Sequence, residues 1–467
     1  MNLSNKVKIG YGLKSSWQEL DSKSIFFTYT KKTENFNKLQ VLALKKKCNH
    51  IICDHSLKDK IKINKKINYL FAKDLNSYAI KCSKIFFKEK IKIILITGTD
   101  GKTSIAYSLY NNLNKLSINT CYIGTFGLYA NGKKIQSSLN TTPDLITIMN
   151  GIKSSVKNYK CKYLVIEASS IGYVEKRLGN IKADIGILTN LSQDHLDYHK
   201  NINNYHQAKI DLLKNHIKKG KTLLIQNKIP KKLSNKLNKQ FDVIYQDDYL
   251  IKKNITIDNR DIFKTKILLD GNLIKKIDVP NNFVIKNLLT NYTLLTLMKV
   301  KFKNENILNN KTIKGRHQII FNNFNKLVIV DYAHTPNGIS NLLKPYSQIS
   351  IIKIVIFGCG GDRDKNKRSK MSKLVNNFSD IQIITDDNPR NENPSLIREN
   401  LIKHCDNFYN IPNRLKAIKK GFALLKKNNG ILFIIGKGHE ETQVYKNITH
   451  KFSDIEESIK IAKNINF

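Results

Sequence analysis

What this chain contains little of excludes several classes of protein. Its 467 residues include only 22 glycines, 8 prolines and 7 cysteines, and no CxxC pair occurs. Collagen-like, low-complexity and disulfide-built proteins are therefore excluded, and a reducing compartment is expected. No apolar run approaches the ~20 residues of a membrane helix, and the first residues lack the apolar core of a secretory signal. We expect a cytoplasmic protein of about three domains with no membrane partner.

Acidic residues are scarce relative to basic ones. The chain has 37 Asp and Glu against 80 Lys and Arg, a net charge of +43. This balance suggests a nucleic-acid partner. The basic residues, however, are mostly lysines spread along the whole chain, and they form no single basic arm. We therefore expect no specific nucleic-acid partner, and a nucleic-acid-stimulated ATPase stays as the alternative from a different class. Arginine occurs only eight times, so each arginine is a candidate for a planar, bidentate contact.

One short segment concentrates potential zinc ligands. Cys48, His50, Cys53 and His55 lie within eight residues of each other. The apolar pair at 51–52 between them predicts a strand, in which neighbouring side chains alternate between faces. We therefore expect ordinary packing here and no zinc site.

Apolar runs that alternate with helical patterns predict an α/β fold. Residues 91–96 form a β-branched run typical of a buried parallel strand, and a helical pattern follows at 104–113. Similar strands are predicted at 163–166, 185–188, 327–330, 351–357, 381–385 and 431–435. Strands alternating with helices favour open, mostly parallel sheets. We predict domain boundaries at 1–88, 89–315 and 316–467, with segment 226–312 as the tail of the central domain.

The strongest motif lies between the strand at 91–96 and the following helix. Its pattern is GxxGK[ST]S, and it comprises Gly98, Thr99, Asp100, Gly101, Lys102, Thr103 and Ser104. Glycines let backbone N–H groups face phosphate oxygens, and a helix N-terminus adds partial positive charge. Lys102 would neutralise phosphate charge, and the Thr103 hydroxyl would bind Mg²⁺. The sequence therefore predicts a nucleotide site, with a simple tight turn as the alternative.

Polar clusters also follow the other predicted strands. Glu167 ends one strand, and the segment 189–199, which includes Asn190 and His195, follows the next. In the C-terminal half, clusters at 331–336, 358–364, 385–390 and 436–440 follow four strands. The carboxyl ends of parallel strands meet at one edge of a sheet, where open α/β sheets bind ligands. We therefore expect Glu167 to lie at a ligand-binding position, and the four C-terminal clusters to converge on one edge of their sheet.

Taken together, these motifs resemble those of the Mur ligase family over residues from about 90 to the end. GTDGKTS, NTTPD, EASS, TNLSQDHLDYH, DYAHTP, GCGGDRD, DDNPR and GKGHE occur in this order. The resemblance implies three domains, with a central P-loop-type sheet and a C-terminal Rossmann-like domain. It implies an ATP- and Mg²⁺-dependent amide ligase of peptidoglycan precursor synthesis. The DDNPR motif resembles that of the members that add meso-diaminopimelate, as opposed to those that add lysine. Such members join it to UDP-N-acetylmuramoyl-L-alanyl-D-glutamate through an acyl phosphate.

The resemblance also implies roles for individual residues. Besides the phosphate loop, the implied ATP contacts are Asn190, Arg316, Asp331 and His334. The implied metal ligands are Thr103, Glu167, His195 and Lys209, the last as a carbamate. The implied contacts with the UDP-sugar peptide are Leu13, Ser15, Asn140, Thr141, Thr142, Ser169, Glu175 and Arg177. The implied diaminopimelate pocket comprises Arg363, Asp387, Asn388, Pro389, Arg390, Gly436 and Glu440. We expect the enzyme to act as a monomer.

The chain also departs from the family pattern. Asp100 stands where the family usually has Asn, Ile171 where it has His, and Glu175 where it has Gln. The family's arginine and glycine-rich loop are not recognisable in 28–36, so uridine binding is the part least supported by motifs. A folylpolyglutamate synthetase, a Mur ligase for another amino acid and a decayed ligase without turnover are the alternatives.

Overall fold

The computed structural model describes residues 2–137, 140–261, 264–277, 282–304, 313–323, 325–446 and 448–465. The N-terminal part is a small parallel sheet with strand order β1-β2-β3-β4. Its strands are β1 (Gly12–Lys14), β2 (Ser24–Phe27), β3 (His50–Asp54) and β4 (Asn68–Ala72). Its helices are α1 (Leu3–Lys8), α2 (Thr33–Lys45) and α3 (Leu75–Phe86). The small α/β unit expected from the sequence is thus present, and the buried thiol of Cys48, just before β3, donates to the carbonyl of Ser24.

The central sheet has eight strands in the order β12-β11-β10-β5-β9-β6-β7-β8. These are β5 (Lys92–Thr97), β6 (Thr120–Gly124), β7 (Gly127–Ala130), β8 (Lys133–Gln136), β9 (Tyr163–Glu167), β10 (Ala183–Leu188), β11 (Ile217–Ile225) and β12 (Asp242–Tyr245). The helices are α4 (Lys102–Lys115), α5 (Leu145–Tyr159), α6 (Ser170–Val174), α7 (Leu196–His199), α8 (Ile202–His216), α9 (Lys231–Asn238), α10 (Gln246–Lys252) and α11 (Asn282–Leu297). Between the last two helices runs an antiparallel sheet of β13 (Ile255–Asp261), β14 (Lys264–Leu269) and β15 (Asn272–Ile277).

The C-terminal sheet has the order β16-β17-β21-β18-β19-β20, and β16 is its antiparallel edge. Its strands are β16 (Gln318–Asn323), β17 (Lys326–Asp331), β18 (Ile352–Phe357), β19 (Ile381–Ile384), β20 (Phe408–Asn410) and β21 (Gly430–Ile435). A hairpin of β22 (Thr442–Tyr445) and β23 (Ile448–Lys451) follows. The helices are α12 (Pro336–Leu343), α13 (Asn366–Phe378), α14 (Pro394–Ile402), α15 (Arg414–Lys427) and α16 (Asp454–Asn464).

The central strands are apolar because both of their faces are covered. Leu95 of β5 packs into one hydrophobic core, while Ile94 and Ile96 pack into the core on the other face. Strand β21 is divided in the same way between two cores, with Phe433 on one side and Leu432 on the other. A strand buried on both faces gains hydrophobic stabilisation from every side chain, which explains the continuous apolar runs. The predicted α/β class is confirmed.

The topology brings the motif-bearing strand ends together. Strand β5 lies between β10 and β9, so the three central motifs leave adjacent strands. Strands β17, β21, β18 and β19 are likewise consecutive neighbours and parallel. None of the helices among the described residues is long and apolar enough to span a bilayer.

Candidate active site

The loop between β5 and α4 has the geometry of a phosphate-binding loop. Gly98 and Gly101 have φ values of +143° and +84°, which disfavour side-chain-bearing residues. A Cβ on Gly98 would lie 1.8 Å from Oγ1 of Thr189. The ammonium of Lys102 lies over the loop and donates to the carbonyls of Gly98 at 2.9 Å and Thr99 at 2.7 Å. Because α4 begins at Lys102, its N-terminal N–H groups and this ammonium favour an anion.

Glu167 lies directly behind this loop. Its fully buried carboxylate accepts hydrogen bonds from the Tyr122 hydroxyl, the Thr125 backbone N–H at 3.0 Å and the Thr125 hydroxyl at 3.2 Å. A fourth bond comes from the Thr103 hydroxyl at 2.7 Å. Since the Thr103 hydroxyl donates its proton to the hydrogen bond with Glu167, the lone pairs of its oxygen remain available to a cation.

The oxygen groups at this loop fit the way in which Mg²⁺ is coordinated when it binds together with a nucleotide. Among the described residues, no group of three or more His, Cys, Asp or Glu side chains forms a metal cage. Mg²⁺ beside a triphosphate takes only one or two protein oxygens, and phosphates and water supply the others. The hydroxyl of Thr103, backed by the carboxylate of Glu167, provides a hard oxygen ligand of this kind.

Lys209 and His195 also lie at the phosphate loop. Lys209 on α8 is only 1% exposed, and its ammonium donates to the Gly98 carbonyl at 2.7 Å. Burial, aided by the nearby Lys102, lowers the pKa of Lys209 well below its usual range. Burial also lowers the pKa of His195 to about 4, and its Nε2 lies 3.3 Å from Oδ2 of Asp194. The site thus holds an amine with a depressed pKa next to an uncharged imidazole.

A cavity of about 260 Å³, here called the nucleotide cavity, opens above the loop. The predicted residues that line it are Thr99, Asp100, Gly101, Lys102, Thr103, Ser104, Thr141, His195, Arg316, Asp331 and His334. Part of its wall comes from α11, which contributes Phe283, Val284 and Leu288. The guanidinium of Arg316 lies 4.2 Å from the ring centre of Tyr332 and donates to Nδ1 of His439 at 3.1 Å.

Asp100 connects the phosphate loop to the C-terminal part of the chain. Its carboxylate accepts hydrogen bonds from the Asn337 amide at 2.7 Å and the Thr335 hydroxyl at 3.3 Å. Both partners belong to the start of α12, where Thr335 is the N-cap residue. Asn190 does not line the cavity; its side-chain amide bonds the backbone N–H and carbonyl of Asp100, each at 3.1 Å.

A polar chain continues from Glu167 toward the predicted sugar-peptide contacts. The Thr142 hydroxyl lies 3.1 Å from Oγ of Ser169, and the guanidinium of Arg177 donates to the Thr142 carbonyl at 2.9 Å. Arg177 also forms an ion pair with Glu175. The structure therefore brings these four residues together, beside an exposed Asn140.

Leu13 and Ser15 lie at the junction of the N-terminal sheet with α5. The side chain of Leu13 is buried in the hydrophobic core, and its carbonyl accepts from Asn150 at 2.8 Å. The hydroxyl of Ser15 lies 2.9 Å from Oγ1 of Thr147. Neither Leu13 nor Ser15 lines the nucleotide cavity.

A second cavity of about 200 Å³, here called the C-terminal cavity, adjoins the first. The predicted residues that line it are Arg363, Asp387, Asn388, Arg390, Gly436 and Glu440. Pro389 does not line it, but its carbonyl would lie 1.9 Å from a Cβ on Gly361, so this turn requires a glycine. Both signs of charge meet in this cavity, as a zwitterion would require.

Several lining residues were not predicted individually. Asp194 lines both cavities. Burial raises the pKa of its carboxyl group, but the charges of His195, His334 and Lys367 outweigh this effect and lower the pKa to about 2. Asp364, the last residue of the GCGGDRD motif, and Lys367, three residues beyond it, also line the C-terminal cavity. The α11 residues and Tyr122 carried no motif, because only the folded topology brings them to the loop.

Comparison with known proteins agrees with this geometry. The Mur ligase middle domain model matches residues 96–295, and the Mur ligase, glutamate ligase domain model matches residues 315–438. The UDP-N-acetylmuramoyl-L-alanyl-D-glutamate--2,6-diaminopimelate ligase of Clostridium botulinum is 34% identical over 79% of this chain and 78% of that protein. Its namesake from Rickettsia montanensis is 33% identical over 98% of this chain and 96% of that protein.

Solved structures share the fold. One diaminopimelate ligase of the same name has a TM-score of 0.57 at 23% identity, covering 98% of this chain and 96% of its own. The MurF ligase from Thermotoga maritima in complex with ADP has a TM-score of 0.67 at 13% identity, covering 99% of this chain and 98% of its own. The family models and the relatives agree over most of the sequence. This chain belongs to the Mur ligase family.

Proposed function

We propose that this enzyme adds meso-diaminopimelate to UDP-N-acetylmuramoyl-L-alanyl-D-glutamate at the expense of ATP, in peptidoglycan precursor synthesis. One observation carries the proposal: the two cavities share a wall made of Asp194, His195, Tyr332 and His334. A phosphoryl group bound at the phosphate loop and an amino acid bound in the C-terminal cavity would therefore meet across the same four side chains. The Rickettsia montanensis relative, matched over 98% of this chain and 96% of its own, carries the name of this ligase.

The chemistry follows from this adjacency. A γ-carboxylate oxygen of the D-glutamyl residue attacks the γ-phosphorus of ATP, ADP leaves, and an acyl phosphate forms. The amine of the amino acid then attacks the acyl carbon, an amide forms, and phosphate departs with the former carboxylate oxygen. The chain contributes mainly position and charge. Lys102 would neutralise phosphate charge and the N-terminus of α4 would hold the phosphate. Thr103, backed by Glu167, would hold Mg²⁺, which would supply further charge neutralisation.

We further propose that Lys209 carries a carbamate. Its depressed pKa makes the neutral amine available, and such an amine combines with CO₂ to give a carbamate and a proton. The product is an anion where a protonated lysine would repel a cation, so with His195 it would complete the metal environment. The short bond from Lys209 to the Gly98 carbonyl keeps this nitrogen at the phosphate loop.

In the C-terminal cavity, we assign the two arginines to carboxylates and the acids to ammonium groups. Arg363 and Arg390 suit bidentate contacts, while Asp387 and Glu440 offer negative charge. Meso-diaminopimelate has two groups of each sign, whereas lysine has a single carboxylate. A cavity wall with both arginines and carboxylates therefore supports diaminopimelate, as opposed to lysine, as the amino-acid substrate.

The remaining assignments are also proposals. Leu13 and Ser15 would meet the uridine end, and Thr141, Thr142, Ser169 and Arg177 the sugar peptide. We assign the domains to 1–88, 89–315 and 316–467, and we propose a cytoplasmic monomer without a specific nucleic-acid partner. All seven cysteines are buried and unpaired, as suits a reducing compartment.

An isotope experiment, which follows oxygen-18 from the substrate carboxylate into the released phosphate, tests this function. The dipeptide substrate carries oxygen-18 in its γ-carboxylate and is incubated with ATP and meso-diaminopimelate. We expect a tripeptide product and one labelled oxygen in the released phosphate, with both lost in Lys102→Ala. Tripeptide formation without label in the phosphate would refute the acyl-phosphate route, and absence of the tripeptide would refute the ligase assignment.

A further inference from the structure

Lys437 does not line the C-terminal cavity, yet it touches two residues that do. Its side chain is fully buried, and its ammonium donates to Oε2 of Glu440 at 3.0 Å and to Oδ1 of Asn388 at 3.2 Å. The amide of Asn388 closes the triangle by donating to the same Oε2 at 2.9 Å. Oε2 of Glu440 thus receives two donors, while no hydrogen bond from a described residue is found at Oε1.

The backbone around Lys437 is built to enclose its side chain. Gly436 and Gly438 flank it with φ values of +108° and +51°. A Cβ on Gly438 would lie 2.6 Å from the carbonyl of Gly315, and one on Gly436 would lie 2.7 Å from Oδ2 of Asp387. The turn after β21 therefore needs both glycines, and it directs the lysine inward while Glu440 stays at the cavity.

This arrangement differs energetically from an ordinary lysine–glutamate pair. Exposed pairs three residues apart contribute little to stability. A buried ammonium, in contrast, is costly unless a charge partner and hydrogen bonds compensate for the lost water. Glu440 is 29% exposed at its side chain and has three side-chain torsions, so without these donors it would sample several rotamers.

We propose that Lys437 is a positioning residue of the amino-acid site, which holds Glu440 and Asn388 in the orientation that receives an ammonium group of the incoming amino acid. The inference rests on the proposed function. Lys437 acts without touching the substrate: one hydrogen bond from its side chain holds Oε2 of Glu440, and the other holds Oδ1 of Asn388.

A double-mutant cycle on Lys437→Met and Glu440→Gln tests this role. We expect Lys437→Met to raise the KM for meso-diaminopimelate on the order of ten-fold or more, with the KM for ATP within about two-fold. In the Glu440→Gln background the same change should add little, because the partner through which it acts is already altered. Two results would overturn the proposal. One is a double variant in which the KM increases of the two single variants multiply. The other is an unchanged KM for diaminopimelate in Lys437→Met.

Lys353→Met provides a matched control. Lys353 is also a buried lysine of the C-terminal domain, and it bonds the carbonyls of Ile349 and Ile351 and pairs with Asp380. Because it lies outside the cavity lining, its loss should leave the KM for diaminopimelate unchanged. If Lys437→Met does not fold, Lys437→Gln retains two N–H donors and should give an intermediate KM; a wild-type KM there would overturn the inference.

Calorimetric binding of meso-diaminopimelate separates this inference from the proposed function. A wild type that binds the amino acid but forms no tripeptide would refute the ligase assignment, while the Kd ratio between wild type and Lys437→Met would still test the positioning role. An equal Kd in both proteins would overturn that role even if ligation were normal.

Discussion

Replacing Glu167 with glutamine tests how the phosphate loop is prepared for a cation. The carboxylate accepts four hydrogen bonds, two of them from the hydroxyls of Thr103 and Thr125. In the variant, the amide oxygen can keep the bonds from Tyr122 and the Thr125 N–H. The amide nitrogen must instead donate, so both threonine hydroxyls reverse direction and accept.

The magnitude follows from this reversal and from the lost charge. Because every hydrogen bond finds a replacement, we expect the free energy of unfolding to change by less than about 2 kcal/mol. A divalent cation on the far side of Thr103 would lie about 5 Å from the carboxylate. At an effective dielectric constant of about 40, the lost attraction is about 3 kcal/mol, or on the order of 100-fold in Mg²⁺ affinity.

The assay is phosphate release from ATP as a function of Mg²⁺ concentration, with denaturant unfolding measured in parallel. Glu167→Gln should shift half-saturation by about two orders of magnitude while the protein stays folded. Tyr122→Phe is the control, since it removes one donor to the same carboxylate and leaves the charge. A folded Glu167→Gln protein with wild-type Mg²⁺ dependence would refute the reasoning, as would an equal shift in the control.

Three further changes have definite expected outcomes. Asp100→Asn removes a negative charge beside the bound triphosphate and should lower the KM for ATP about five-fold in initial-rate assays; a higher KM would contradict this electrostatic argument. Lys209→Met should reduce turnover by more than about 100-fold and abolish any CO₂ adduct seen by intact mass in bicarbonate; full activity would exclude a role for the carbamate. Arg390→Ala should raise the KM for diaminopimelate at least about ten-fold and leave that for ATP unchanged, whereas equal losses for both would count against a carboxylate contact.

The strands and the loop motifs could be predicted because they depend on local sequence. The run at 91–96 indicated a buried strand, since β5 packs against cores on both faces. The glycine pattern around Gly98 and Gly101 indicated a tight anion-binding turn, and both glycines have positive φ. The convergence of the four C-terminal strand-end clusters followed from the parallel topology and is confirmed by the C-terminal cavity, which all four clusters help to line.

Other features depend on contacts between distant residues and left no local signal. Tyr122 lies 45 positions from Glu167, and nothing in its neighbourhood marks it as a partner of that carboxylate. The sequence placed Asp100 in the phosphate loop, but nothing near it indicated that its carboxylate bonds Asn337, 237 positions away. The motif GKGHE marked Lys437 as part of a cluster, but its burial and its bond to Glu440 depend on the fold.

The central claim is that this Mur ligase couples ATP to the addition of meso-diaminopimelate. Its most direct test is phosphate release with the UDP-sugar dipeptide present and with meso-diaminopimelate, L-lysine or no amino acid added. We expect stimulation by diaminopimelate alone, together with the tripeptide product. Stimulation by lysine instead would contradict the assignment of the C-terminal cavity. A folded enzyme that responds to neither amino acid would contradict the ligase account itself.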